Sequence, residues 1–131
     1  LVAERGYTYI HPFDDEQLMM GQGTVGLELV RDWPDVDVIV VPIGGGGLIS
    51  GVATALKACN PDIRIVGVES SGAPAMTRSV REGGLVTLDA VDCIIDGLRV
   101  SGEMFPHRAR ISCQPLRERR IHNAASFICF A

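Results

Sequence analysis

Residues 37–70, DVIVVPIGGGGLISGVATALKACNPDIRIVGVES, contain the pattern that decides the fold. An apolar run at residues 38–41 is followed by four glycines, residues 44–47, and then by helix-forming sequence from Leu48. A second apolar run occupies residues 63–68. Apolar runs of this length, joined by a helix, are typical of buried parallel strands. We therefore predict an α/β fold in which a strand, a glycine loop, a helix and a second parallel strand follow one another.

The four glycines at residues 44–47 stand where a strand passes into a helix. The first N–H groups of a helix have no partner within the helix, and its start carries roughly half a positive charge, so this position attracts an anion such as phosphate. Glycine lets the backbone approach phosphate oxygens closely and adopts positive φ without strain. The loop is therefore interpreted as a phosphate-binding loop. A tight strand-to-helix turn without a ligand is the alternative.

The helix predicted after the glycines carries a stripe suited to packing on a sheet. Lys57, the only lysine in the chain, lies beside the solvated face of this helix, where a structural role is the simplest assignment. Apolar residues recur along the helix at positions Leu48, Val52, Leu56 and Cys59.

Outside this unit, local patterns predict shorter elements. Residues 7–10 can form a short strand before a proline, and residues 75–82 can form a short helix ended by glycine. Residues 85–88 and 92–95 carry weaker strand patterns. A longer helical pattern is interrupted by glycines at residues 21–23. These glycines indicate either a kink between two short helices or a close approach of another segment.

The composition is that of a globular domain without the features of a nucleic-acid or membrane protein. The 131 residues are 47% hydrophobic, with a formal net charge of −4 and a pI near 5.3, whereas nucleic-acid surfaces are usually basic. No apolar run approaches the roughly 20 residues that span a bilayer, and the first residues lack a signal-peptide pattern. The four cysteines form no C-x-x-C pair. We expect reduced thiols and a cytoplasmic protein that binds no membrane.

The last 31 residues differ from the rest of the chain in charge. Residues 1–100 hold 14 acidic and 7 basic side chains, whereas residues 101–131 hold five arginines and two acidic side chains. A nucleic-acid-binding arm is one interpretation of this difference. No stacking platform or recognisable motif accompanies the arginines, so we expect no nucleic-acid partner.

Six motifs follow one another in the order and at the spacing of one enzyme family: HPFDD (11–15), GQGTVGLE (21–28), VPIGGGGLISG (41–51), VGVE (66–69), APAMTRS (73–79) and IIDGL (94–98). Together they resemble the threonine/serine dehydratase and serine racemase branch of the fold type II pyridoxal-phosphate enzymes, which have the tryptophan-synthase-β type of fold. The resemblance covers residues 7–99. It implies pyridoxal 5′-phosphate as cofactor, threonine or serine as substrate, a partial open parallel sheet with flanking helices, and a homo-oligomeric full-length parent.

The resemblance also implies a cofactor site made of main-chain atoms. In the family the glycine loop binds the cofactor phosphate through its N–H groups. Some relatives bind a divalent cation at the positions of Glu69, Ala73 and Ala75, but Ala75 replaces an acidic side chain here, so metal binding is left open. By resemblance the cofactor-binding residues are Gly44, Gly45, Gly46, Gly47 and Leu48 at the phosphate, and Gly97 beside the cofactor ring.

The family's catalytic lysine is implied to lie outside this sequence. In relatives it belongs to an S-x-K-x-R-type segment that precedes the region seen here, and Lys57 does not occupy that position. That lysine carries the cofactor as a Schiff base and removes the Cα proton, after which loss of the β-hydroxyl leads to a 2-oxo acid and ammonia. We therefore expect a fragment that contains no catalytic residue and has no ammonia-lyase activity alone.

Other interpretations remain open at this point. Reprotonation of Cα on the opposite face would make the parent a serine racemase. The spacing Gly45-x-Gly47-x-x-x-Gly51, with Glu69 ending the next strand, also fits a dinucleotide-binding, Rossmann-like module. A non-catalytic remnant of the fold is a third interpretation. We expect residues 1–100 to form the dehydratase-like α/β fragment and residues 101–131 to be a divergent basic tail, for which a frame-shift and disorder are both open.

Overall fold

The computed structural model describes residues 1–102 and the backbone of two later strands, residues 113–114 and 125–130. Within these residues, four helices, one 3-10 turn and four strands follow one another. In order they are α1 (Val2–Arg5), α2 (Glu16–Asp32), β1 (Val38–Pro42), α3 (Gly47–Cys59), β2 (Arg64–Ser70), α4 (Ala75–Glu82), the 3-10 turn (Asp96–Leu98), β3 (Cys113–Gln114) and β4 (Ala125–Phe130).

The predicted strand, glycine loop, helix and strand are confirmed. β1 and β2 pair in parallel, with Val38 opposite Arg64 at one end and Pro42 opposite Val68 at the other. Helix α3 connects them and ends where Asn60 turns the chain into an extended conformation. The fold is therefore α/β around a parallel pair of strands, as the two apolar runs indicated.

The core lies between α3 and one face of these two strands. Ile39 and Val41 of β1 are buried, whereas the intervening Val40 is 62% exposed, so among the described residues β1 has one covered face. Leu56 and Ile65 are fully buried. Burying a side chain of this size contributes about 1.5–3 kcal/mol, so these contacts hold the helix on the sheet.

The apolar stripe of α3 differs from the predicted one at both ends. Val52 and Leu56 are buried as expected, but Leu48 and Cys59 are exposed. Ile49 and Ala53 are buried instead. The helix begins one residue earlier than predicted, at Gly47. How the helix packs on the two strands decides which of its residues face the sheet, and these are not simply every fourth residue from Leu48.

The sheet continues beyond the parallel pair with antiparallel strands. β4 pairs with β2, and β3 pairs with β4, giving the order β1-β2-β4-β3. The sheet is therefore mixed, which the sequence did not predict. Both added strands fall in residues 101–131, whose remaining positions beyond Gly102 lie outside the described residues, so the expectations of a frame-shift or disorder there remain untested.

Helix α2 runs without a break through the glycines at residues 21–23, so of the two interpretations left open the kink is wrong and the close approach of another segment is confirmed. Its start is capped by the side chain of Asp15, which accepts a hydrogen bond from the Leu18 N–H at 2.9 Å. Gly23 and Gly26 are the buried residues of the helix. A Cβ atom on Gly26 would lie 2.9 Å from the carbonyl oxygen of Val52, which shows how closely α2 approaches α3.

The remaining local predictions have mixed outcomes. The helix at Ala75–Glu82 is confirmed, and Gly83 ends it in the left-handed conformation with φ +69. Residues 7–10, 85–88 and 92–95 are not strands in the structure. Within the described residues, no helix is both long enough and apolar enough to cross a bilayer.

The glycines of α2 give a matched pair for testing the helix contact. We expect Gly26→Ala to lower the free energy of unfolding by about 1–3 kcal/mol, because its Cβ would overlap the backbone of α3. Gly21→Ala should raise it by about 0.5–1 kcal/mol, because nothing lies near that position and alanine favours a helix. Urea unfolding followed by circular dichroism measures both, and equal effects would contradict the packing.

Candidate functional site

The glycine loop lies between the carboxyl end of β1 and the start of α3. It is anchored by Ile43, whose N–H donates to the carbonyl oxygen of Val68 on β2 at 2.8 Å. Gly46 takes φ +90 as the residue before the helix, a conformation that costs a residue with a side chain about 1 kcal/mol or more. The chain then enters α3 at Gly47.

The main-chain donors of this loop are its most distinctive feature. Within residues 1–102, none of the N–H groups of residues 44–48 donates a hydrogen bond to a described acceptor, whereas the Ser50 N–H binds the Gly46 carbonyl at 3.0 Å. Residues 45–47 are buried. A buried N–H group without a partner costs about 1–3 kcal/mol. Oxygen atoms of an anion would satisfy these donors and complement the positive start of the helix.

Close packing within the chain also requires the residues of this loop to lack side chains. A Cβ atom on Gly45 would lie 2.5 Å from the ring of Phe13, and one on Gly47 would lie 2.6 Å from the Phe13 carbonyl oxygen. Phe13 therefore covers part of the loop, while Gly44 is half-buried and Leu48 is 36% exposed. A tight turn without a ligand explains these glycines equally well. Such a turn also leaves the N–H groups of residues 44–48 without a described acceptor, as at the start of any helix, whereas a bound anion would supply acceptors for them.

Gly97 lies next to the glycine loop, and its place beside a cofactor ring stays a prediction. It is the middle residue of the 3-10 turn at Asp96–Leu98. A Cβ atom on Gly44 would be 2.7 Å from the Gly97 carbonyl oxygen. Two segments that are far apart in the sequence are thus brought together, and both meet through glycine.

Glu69, the residue before the last of β2, has a buried side chain that is hydrogen-bonded through both oxygens. It is 2% exposed. Its carboxylate accepts hydrogen bonds from the N–H of Met76 at 2.8 Å, and from the N–H and Oγ1 of Thr77, both at 2.7 Å. Burial raises the pKa of this carboxyl above its usual value, and the three hydrogen bonds oppose that rise. Of the other two positions considered for a cation, Ala73 would contribute only its main-chain carbonyl, and Ala75 carries no side-chain oxygen.

Lys57 lies at the far end of α3 from the glycine loop. Its Nζ donates to the Pro61 carbonyl at 2.8 Å, and ten residues of helix separate it from Gly47, a distance of about 15 Å along the axis. The structural role expected for Lys57 agrees with this position.

Three residues near the loop were not singled out from the sequence. Phe13 belongs to the HPFDD motif, and Met76 and Thr77 belong to APAMTRS. The order of the motifs pointed to these segments. Which side chain of each segment would contact the loop or Glu69 depends on tertiary packing, for which the sequence carries no local signal.

Comparisons with known proteins agree on one family. A family model described as "Pyridoxal-phosphate dependent enzyme" matches residues 1–120, beyond the motifs at both ends. An L-threonine ammonia-lyase of Thermotoga maritima is 45% identical over 95 residues, which are 72% of this chain and 24% of that protein. A serine racemase of Oryza sativa subsp. japonica is 50% identical over 96 residues, covering 73% of this chain and 28% of that protein.

Solved structures show the same similarity. The structure of maize serine racemase matches with a TM-score of 0.73 and 48% identity, over 76% of this chain and 31% of that one. The processed form of threonine deaminase isoform 2 from Solanum lycopersicum matches with a TM-score of 0.74 and 46% identity, over 77% of this chain and 29% of that one. The chain spans about a quarter to a third of these relatives. The matches favour pyridoxal phosphate over a dinucleotide as the ligand of the fold.

The buried carboxyl of Glu69 predicts a pH dependence of stability. Because its pKa is raised in the folded chain, its contribution is present below its unfolded pKa and is lost as the pH rises through the folded pKa. The free energy of unfolding of the chain, relative to that of Glu69→Gln, should therefore fall as the pH rises above the usual pKa of a glutamate carboxyl.

Urea unfolding at several pH values measures this difference. Glu82→Gln is a matched control, because it makes the same substitution at an exposed position of α4, and its unfolding curves are compared with those of the unsubstituted chain in the same way. A difference for Glu69→Gln that grows as the pH rises would contradict the raised pKa.

Proposed function

Because the chain belongs to the pyridoxal-phosphate dependent enzyme family, we propose that it forms the phosphate-binding part of an ammonia-lyase that converts threonine or serine into a 2-oxo acid and ammonia. One observation carries the proposal: the N–H groups at the start of α3 have no described partner, at the glycine run where a phosphate would be bound. The names of the relatives support the choice of reaction, since L-threonine ammonia-lyases are 45–48% identical over the matched region.

The proposed site is made mainly of backbone. Gly44, Gly45, Gly46, Gly47 and Leu48 bind the phosphate through their N–H groups, and the positive start of α3 adds to the attraction. Phe13 excludes water from one side of the loop, which strengthens these hydrogen bonds. Gly97 leaves open space for the cofactor ring, because it has no side chain and nothing lies where its Cβ would be.

The cofactor and the residues of this chain have different roles in the proposed reaction. Pyridoxal phosphate, when bound, supplies an electron sink that makes the Cα proton of the amino acid acidic. The residues of this chain fix the phosphate and thereby the position of the ring. None of the described residues is proposed as the base that moves the proton, because Lys57 is bound to the Pro61 carbonyl at the other end of α3.

Serine racemisation is the second candidate. A serine racemase of rice is 50% identical over the matched region, and the structure of maize serine racemase is 48% identical. Both reactions require the same phosphate loop and the same acidic Cα proton. Within this proposal we also assign the protein to the cytoplasm, in line with the free thiols of Cys59 and Cys93, and assign the full-length protein to a homo-oligomer.

Binding of the phosphate can be tested with pyridoxine 5′-phosphate, which has an alcohol in place of the aldehyde and forms no Schiff base with Lys57. In ¹⁵N–¹H NMR spectra of the chain, the amide signals of residues 44–48 should shift on titration. Pyridoxine, which lacks the phosphate, should leave them unchanged. Shifts confined to other residues, or identical shifts with both compounds, would contradict the proposed site.

A pair of glycine variants sharpens the same experiment. Gly46→Ala places a side chain at φ +90, with its Cβ 3.2 Å from the Met76 methyl, so it should displace the loop and weaken binding of pyridoxine 5′-phosphate about tenfold. Gly83→Ala carries a similar backbone strain at φ +69, with nothing near its Cβ. It should lower stability and leave the dissociation constant unchanged.

The chain alone should not catalyse the reaction. With pyridoxal phosphate and L-threonine, the 131-residue chain should form 2-oxobutanoate no faster than the free cofactor, because its only lysine lies far from the loop. The product is measured by reduction with lactate dehydrogenase and NADH. Lys57→Ala should give the same rate, and turnover that this substitution abolishes would show that Lys57 acts as the missing base.

A further inference from the structure

A buried carboxylate links the end of β2 to the start of α4. Both oxygens of Glu69 are used, one by the Met76 N–H and the other by the N–H and hydroxyl of Thr77. Among the described residues, no buried side-chain oxygen or nitrogen lacks a partner. The position of α4 relative to the sheet is thus fixed by hydrogen bonds rather than by apolar contact alone.

Helix α4 has no cap of its own. The residue before it is Pro74, which provides no side-chain hydrogen bond to the helix. The first N–H groups of a helix need acceptors from elsewhere. Glu69 supplies two of these acceptors. It lies seven residues before Met76 and eight before Thr77, and its carboxylate accepts from both N–H groups. The place where α4 starts is therefore determined by a residue of β2.

The first turn of α4 also contacts the glycine loop. Met76 is 4% exposed and belongs to the same apolar core as Ile43 and Ile49. Its methyl carbon Cε lies 3.2 Å from the position that a Cβ on Gly46 would occupy. The residue whose N–H is bound by Glu69 therefore places its side chain against the phosphate loop.

The other end of the loop is held by the neighbouring residue of the same strand. The Ile43 N–H donates to the carbonyl of Val68, the residue before Glu69. The loop is thus fixed on its strand side by the backbone of β2 and on its helix side by Met76, whose position depends on Glu69. The carboxyl end of β2 controls both.

We propose that Glu69 is a positioning residue for the phosphate loop, acting through the first turn of α4 and the side chain of Met76. The proposal rests on the proposed function for its effect on cofactor binding. It assigns Glu69 a role that needs no cation, since the donors at its carboxylate are N–H and O–H groups of the chain.

The first test reads the loop in the absence of any ligand. Glu69→Gln keeps the shape of the side chain but replaces one acceptor with a donor. It should move the amide signals of residues 45–47 and the Met76 methyl signal in NMR spectra of the unliganded chain. Glu82→Gln, at an exposed position of the same helix, should move neither. Unchanged loop signals in a folded Glu69→Gln chain would overturn the proposal.

The second test measures binding of pyridoxine 5′-phosphate in a double-mutant cycle. Glu69→Gln and Met76→Ala should each raise the dissociation constant about fivefold to tenfold, and the double variant should be no weaker than Met76→Ala alone. If the two increases in the dissociation constant multiply in the double variant, Glu69 does not act through Met76, and the proposal is overturned. A destabilisation unrelated to the loop would not produce this non-additivity.

The proposed function and the role of Glu69 can be disproved independently of each other. If the unsubstituted chain does not bind pyridoxine 5′-phosphate, the proposed function is wrong, while the ligand-free spectra still decide the role of Glu69. If Glu69→Gln does not fold, Thr77→Val removes only the hydroxyl bond to the carboxylate and should cause smaller shifts at the same loop signals. Thr24→Val, whose hydroxyl bonds the Gly21 carbonyl at an exposed site, is its control. No shift in a folded Thr77→Val chain would then overturn the proposal.

Discussion

The turn from β1 into α3 depends on the absence of side chains where three segments meet. The ring and backbone of Phe13 lie against Gly45 and Gly47, the Gly97 carbonyl lies against Gly44, and the Met76 methyl lies near Gly46. A Cβ atom on Gly44, Gly45 or Gly47 would force a backbone or the half-buried Phe13 ring to move. The loop therefore fixes the relative positions of residues that belong to distant parts of the sequence, and the candidate site exists only because they meet there.

Close packing and ligand binding both require glycine in this loop, but only ligand binding supplies acceptors for its N–H groups. Close packing requires glycine and leaves the N–H groups of residues 44–48 without a described acceptor, as at the start of any helix. An anion at the helix start would supply the missing partners and interact with the helix dipole. The match to pyridoxal-phosphate dependent enzymes over residues 1–120 adds a cofactor that carries such an anion.

The sequence predicted the elements whose signals lie within one segment and missed the contacts between distant segments. The unit from β1 to β2 was recognisable because apolar runs, glycines and a helical stripe all lie within residues 37–70. The glycines of α2 were open to two interpretations, because only α3 decides between a kink and close packing. Residues 7–10 have strand-like composition, but a strand also needs a partner. The antiparallel pairing of β4 with β2 and the donors to Glu69 likewise join segments that no periodicity connects.

The capping of α4 by a residue of β2 also bears on how the chain folds. With eight residues, α4 is shorter than the roughly 12–15 residues at which an isolated helix becomes even marginally stable in water. Its first turn gains acceptors only once the end of β2 is in place. We therefore expect this helix to nucleate only after the sheet has assembled, and the two elements to form and open as one cooperative unit.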